Sequence, residues 1–168
     1  MPRYEHQPFA CRPAPELSGV SPGRYKVVIV GAGPVGLALA IDLALHGVAS
    51  VVLDDNDVVS VGSRAICWAK RTLEIFDRLG VGAQMAEKGV TWQVGRLYHR
   101  DEEIWLFDLL PEPGHRMPAF VNLQQYHVEA MLVERAQQFP ELIDLRFKAK
   151  VTGLEQLADG ARDRKSVV

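Results

Sequence analysis

Lys26-Val27-Val28-Ile29-Val30-Gly31-Ala32-Gly33-Pro34-Val35-Gly36-Leu37 is the stretch that decides the fold. The β-branched run before Gly31 predicts a short strand buried on both faces. An apolar helix over 37–46 follows the glycines and ends at Gly47, a residue suited to a left-handed cap. Residues 48–53 predict a second strand, and Asp54 stands at its end, 23 residues after Gly31. Glycine-rich turns are common; strand, turn, helix and a distal acid in this order are far more specific. Gly31 permits the tight turn off the strand, Gly33 lets a pyrophosphate approach the backbone, and Gly36 lets helix and sheet pack closely. Pro34 gives up an N–H that has no partner inside the helix anyway. The helix N-terminus offers its remaining N–H groups and partial positive charge to phosphates. Asp54 is placed to accept ribose hydroxyls and to repel a 2′-phosphate, which argues against NADP at this position. The unit is one that holds the ADP half of a dinucleotide.

The rest of the composition narrows the field. Of 168 residues, 48% are apolar and 24% charged, as in ordinary globular domains. A formal charge of −2 with no basic stripe argues against nucleic acid as a partner. Cys11 and Cys67 form neither a CxxC pair nor a metal spacing, so free thiols in a reducing cytoplasm are expected and no metal is implied. The longest apolar stretch, over 27–45, is broken by three glycines and Asp42, so no membrane partner is expected. Five prolines in the first 23 residues predict a flexible leader.

Beyond Asp54 the pattern predicts a loop over 54–63, a helix over 64–79 closed by Gly80, and a short helix over 81–88. Cys67 would then be packed and inert. The period changes to two from Thr91. Strands over 94–99 and 104–109 flank the polar turn Arg100-Asp101-Glu102-Glu103 and predict a hairpin. Trp92, Trp105 and Phe107 read as core aromatics. A proline-rich loop over 111–118 precedes a strand over 120–123, a helix over 125–138, and one or two strands over 142–154 before a polar end. His46, His99, His115 and His127 lack catalytic or metal spacing, and Asp55 reads as a solvated neighbour of Asp54.

Residues 30–37 with Asp54 resemble the amino terminus of the FAD-dependent aromatic-ring monooxygenases, the group of para-hydroxybenzoate hydroxylase and 3-(3-hydroxyphenyl)propionate hydroxylase. Two later segments are similar as well. Ser63-Arg64-Ala65-Ile66 resembles a family segment whose arginine lies along the cofactor's diphosphate and ribityl chain. Asn122-Leu123-Gln124-Gln125, leading into Val128-Glu129-Ala130-Met131-Leu132, resembles a corner where a glutamine contacts the flavin chain. Gln125 fits that place better than Gln124, by its spacing of four to Glu129. A surface arginine and a plain helix-start glutamine remain the alternatives for Arg64 and Gln125.

The resemblance spans roughly 25–154 and implies an α/β fold. It would be an incomplete Rossmann-like FAD/NAD(P)-binding domain over 24–162, with the hairpin and loop of 91–118 belonging to a β-rich substrate domain. The implied FAD ligands are Gly31, Ala32, Gly33, Pro34, Val35, Gly36, Asp54, Arg64 and Gln125. The implied reaction is hydroxylation of a small aromatic, phenolic substrate by oxygen, with NADH or NADPH as electron donor. The family's later Asp-Gly and Gly-Asp segments have no counterpart after Leu154; Asp159-Gly160 lacks their flanking pattern. No catalytic residue is therefore named, and the chain alone is expected to be inactive. Asp163-Arg164-Lys165-Ser166-Val167-Val168 is similar to the translated end of a sequencing adapter, and 163–168 are expected to be artefactual. Three rivals stand beside this reading. An NAD-dependent dehydrogenase should continue with alternating helices and parallel strands rather than a hairpin. Another FAD oxidoreductase of the same fold would share every motif named. A non-catalytic adenine-dinucleotide module would bind nucleotide without flavin.

Overall fold

The computed structural model describes residues 5–11, 15, 19, 24–62, 64–110 and 112–167. The chain divides into two compact units, Met1–Gly62 with Leu132–Val168, and Ser63–Met131. The leader residues 1–4, 12–14, 16–18 and 20–23 lie outside the described set, as do Ser63, Pro111 and Val168.

The first unit is built on a three-stranded parallel sheet of order β1-β2-β8. Its strands are β1 (Val28–Val30), β2 (Ser50–Leu53) and β8 (Ile143–Arg146). Val30, Leu53 and Arg146 lie side by side across it. Helix α1 (Pro34–Leu45) joins β1 to β2 and buries Leu37, Ala40, Ile41 and Ala44, one stripe at helical spacing. Leu37 and Ile41 are wholly buried, each a gain of about 1.5–3 kcal/mol over exposure. Gly47 ends the helix region at φ +71°, the left-handed conformation expected of it.

The opposite sheet face carries Val51 and Leu53, which pack on Ala149 and Val151 of β9 (Ala149–Leu157). On that face Val28 is 41% and Val30 64% exposed. Burial of β1 on both faces, expected from its composition, is therefore not what the structure has. Only Ile29, on the α1 side, is covered. The reason is position: β1 is an edge of this sheet, and β9 covers β2 instead. Arg146, 2% exposed, shares the face. Its guanidinium donates to Asp144 and to the Tyr25 hydroxyl at 2.8 Å, and lies 5.2 Å from the centre of the Tyr25 ring.

Parts of the leader and of the polar end have defined positions. The Phe9 N–H donates to the Asp57 carbonyl at 2.6 Å, and its ring stacks on Phe147 at 4.8 Å. The polar end is a strand, β10 (Gly160–Val167), antiparallel to β9. Ala158-Asp159 makes their two-residue turn, tied to Arg24 through Asp159 at 2.9 Å. Backbone pairing needs no apolar pattern. The segment from Asp163 through Val167 is the second half of β10.

The second unit holds a three-stranded sheet of order β3-β7-β4, antiparallel throughout. These strands are β3 (Cys67–Ala69), β7 (Phe120–Asn122) and β4 (Val90–Trp92). Helices α2 (Lys70–Leu79) and α3 (Gly82–Lys88) lie between β3 and β4, with Gly80 at φ +94° closing α2. The helix expected from residue 64 starts only at Lys70. Before it, the Leu123 N–H donates to the Ile66 carbonyl at 2.7 Å and the Gln125 N–H to that of Ala65 at 3.1 Å. Pairing with a remote segment overrides the local helical pattern. Cys67 is correspondingly exposed in β3 rather than packed in a helix. Trp68 is the buried residue there, its Nε1 donating to the Leu123 carbonyl at 2.7 Å.

Hairpin β5 (Val94–His99) and β6 (Glu102–Asp108) forms, but its turn is Arg100-Asp101, Arg100 at φ +53°; Glu102 and Glu103, expected in the turn, pair with His99 and Tyr98 instead. It pairs only with itself, so Trp105 is 60% exposed and not core. Trp92 does pack, stacked on Phe120 at 4.8 Å. Helix α4 (Gln125–Ala136) buries Val128, Leu132, Val133 and Ala136 and runs across the division between units. Among the described residues no helix is long and apolar enough to cross a membrane.

Gly36 is the tightest of these contacts around α1: a Cβ there would sit 2.0 Å from the Gly31 carbonyl oxygen and 3.2 Å from Ile29. Gly36→Ala is expected to destabilise the chain by about 1–3 kcal/mol, a fall of roughly 2–12 °C in a thermal melt. An unchanged melt would refute this packing.

Candidate functional site

The glycine loop is shaped from both ends. Gly31 has φ +106°, a region that disfavours side chains, and its N–H donates to the Leu53 carbonyl at 2.7 Å. Gly33 caps α1 in extended conformation, and its carbonyl accepts the first helical bond, from the Leu37 N–H at 3.0 Å. Pro34 occupies the start of the helix, where its ring suits the first turn. The N–H groups of Val35 and Gly36 come before that first bond and have no acceptor within the helix. No side chain caps this end and no acid lies in its first turn. A Cβ added at Gly33 would meet nothing within 4 Å, so the space beside it is open. The donors, the open space and the absence of protein negative charge in the first turn suit a diphosphate.

Asp54 closes the loop from the sheet side. Its own N–H is held by the Arg146 carbonyl at 3.0 Å and its carbonyl by the Ala149 N–H at 2.7 Å. The carboxylate is thereby aimed at the loop, where Oδ2 accepts the Ala32 N–H at 2.6 Å. Oδ1 accepts the Asn56 N–H at 2.8 Å and Asn56 Nδ2 at 3.3 Å. Asp55 is exposed and accepts from Asn56 Nδ2 at 2.9 Å. Ala32 thus enters the site through its backbone. Asn56 escaped sequence reading, although Asp-x-Asn after a strand is a turn signal of the kind in which a side chain holds a nearby N–H. The predicted residues Gly31, Ala32, Gly33, Pro34, Val35, Gly36 and Asp54 all meet in the first unit.

Arg64 and Gln125 lie in the second. The bonds of 65–66 to 123–125 set the segment carrying Arg64 against the start of α4. The Arg64 side chain is exposed and Gln125 half-buried. Gln125 Nε2 donates to Glu129 Oε1 at 2.6 Å, and Glu129 is only 3% exposed. Burial, with Lys88 nearby, pushes the His127 imidazole below its ordinary pKa. Among the described residues no group of His, Cys, Asp or Glu is placed to hold a metal ion.

Known proteins are similar to this chain. A family model described as FAD binding domain matches residues 24–166. A flavin-dependent monooxygenase of Mycobacteroides abscessus is 34% identical over 141 residues, 79% of this chain and 29% of the relative. A 3-(3-hydroxy-phenyl)propionate/3-hydroxycinnamic acid hydroxylase of Mycolicibacterium vanbaalenii is 29% identical, over 85% of this chain and 25% of its own length. The crystal structure of p-nitrophenol 4-monooxygenase from Pseudomonas putida superposes with a TM-score of 0.72 at 28% identity, covering 85% of this chain and 39% of that one. The chain therefore spans less than two fifths of each of these relatives.

Open space at Gly33 separates binding from folding. Gly33→Ala is expected to change stability by about 1 kcal/mol or less, because a poorer cap offsets a less flexible unfolded chain. The same methyl would project toward a bound diphosphate, and ADP affinity should fall at least about tenfold in a calorimetric titration. Equal ADP affinity in variant and parent would remove Gly33 from the site.

Proposed function

Because the chain belongs to this FAD-binding-domain family, matched over 24–166, we propose that Gly31, Ala32, Gly33, Pro34, Val35, Gly36 and Asp54 hold the ADP half of FAD. The observation that carries this is the open, uncapped start of α1 at Gly33, facing a loop held by the Asp54 carboxylate. The N–H groups of Val35 and Gly36 would donate to phosphate oxygens. Asp54, steadied by Asn56, would accept from the ribose hydroxyls while keeping its bond to Ala32. A carboxylate at that place disfavours a 2′-phosphate. Arg64 and Gln125 are proposed as contacts to the diphosphate–ribityl chain, a role carried over from the family resemblance.

The relatives are monooxygenases, and the parent reaction we propose is hydroxylation of a small phenolic substrate. Two of those names support an aromatic substrate, a hydroxyphenylpropionate or hydroxycinnamate in one and p-nitrophenol in the other. FAD, when bound, supplies the redox chemistry that takes electrons from NADH or NADPH and uses oxygen; the protein's share is placement, charge and exclusion of water. Hairpin β5–β6 is proposed as part of the substrate domain, its exposed Trp105 available as an apolar wall. The reading carries with it a cytoplasmic enzyme with no nucleic-acid or membrane partner. Turnover is assigned to a longer parent chain, and this chain by itself would bind cofactor without hydroxylating.

Two experiments test the proposal. Asp54→Ala should lower FAD affinity by about 10- to 100-fold, the loss of one or two hydrogen bonds to a charged group, measured by flavin co-elution and fluorescence titration. NAD bound as tightly as FAD by the unmodified chain would favour the dehydrogenase reading instead. In the parent enzyme, a phenol hydroxylated under ¹⁸O₂ should carry the label in its new hydroxyl. Label arriving only from ¹⁸O water would exclude a monooxygenase.

A further inference from the structure

Glu129 is a buried carboxylate that the proposed cofactor contacts do not use. It is 3% exposed on α4, beside the buried Val128 and one turn from Leu132. Removing a carboxylate from water is costly, and an aliphatic residue would pack there at no such cost. One group that meets it is Gln125, four residues earlier on the same helical face, whose Nε2 donates to Glu129 Oε1 at 2.6 Å.

An amide can turn end for end about its last torsion with little change of shape. Beside a carboxylate it cannot: the turned amide would set its own Oε1 against the charged oxygens of Glu129. The carboxylate therefore decides which end of the Gln125 amide is donor and which acceptor. The Gln125 backbone is fixed as well, by its N–H bond to the Ala65 carbonyl at 3.1 Å.

We propose that Glu129 is a positioning residue for Gln125, holding its amide in the single sense in which it meets the hydroxyl-bearing chain of FAD. The proposal rests on the reading that Gln125 contacts the cofactor. It assigns Glu129 no contact with FAD.

The test is a double-mutant cycle on the purified chain, with FAD as probe and ADP, which lacks the flavin chain, as control. Glu129→Leu should weaken FAD binding about tenfold when Gln125 is present and by less than about twofold when Gln125 is replaced by Leu. ADP affinity should hold in both backgrounds. Glu129→Gln, whose amide oxygen can still accept from Gln125, should stay within about threefold of the parent. If Glu129→Leu does not fold, Glu129→Asp takes its place: it keeps the charge and is one methylene too short to keep the bond. Equal FAD losses in both backgrounds, or a parallel loss of ADP affinity, would show a structural role only and overturn the inference. Gln125→Leu alone binding FAD as well as the parent would instead overturn the reading beneath it, a different and separable result.

Discussion

The bond from the Ala32 N–H to the Asp54 carboxylate, 2.6 Å long, is the interaction on which the first unit turns. It joins the loop leaving β1 to the end of β2, two places that the whole of α1 separates in sequence. With the neighbouring bond from Gly31 to Leu53, it fixes where α1 starts and therefore which way its N–H groups point. Gly36 then has to be glycine, because the helix so placed brings position 36 onto the Gly31 carbonyl. Asp54 can do this only because β8 and β9 grip its backbone from the other side, through Arg146 and Ala149. The carboxylate we propose for the ribose is thus also the latch of the loop.

The same sheet shows how one strand sequence acquires two different faces. Ile29 is covered by α1, whereas Val28 and Val30 lie open on the face where β9 covers Val51 and Leu53. Arg146 is the polar member of that face and is accommodated because Asp144 and Tyr25 satisfy its guanidinium while the Tyr25 ring lies against it. Around the loop after β2, Phe9 and Phe147 stack, so part of the proline-rich leader is seated on the first unit.

The second unit solves a different problem, that of bringing two distant polar segments to one place. Its device is backbone pairing: residues 65–66 bond to 123–125, and β3 and β4 both pair with β7. The segment bearing Arg64 and the residue Gln125 are neighbours for that reason. Glu129 then acts on Gln125 from within α4 itself.

What the sequence determined is the part governed by local sterics and short-range geometry. Glycine spacing placed the βα turn, left-handed glycines at 47 and 80 ended two helical regions, and two short β-type runs about a polar turn marked the β5–β6 hairpin. The acid at 54 was legible because strand and helix lengths bring it back to the loop. Partners remote in the chain lay beyond this. Residues 64–66 have a helical pattern, yet the N–H groups of Leu123 and Gln125 bond to the carbonyls of Ile66 and Ala65 instead, and Cys67 is left exposed. Residues 160–167 have no apolar pattern, yet β9 supplies backbone acceptors and donors enough to make them a strand. The open face of β1, the exposure of Trp105 and the burial of Glu129 were likewise decided by which element lies opposite each of them. Composition tells how apolar a segment is; only the tertiary structure decides what covers it.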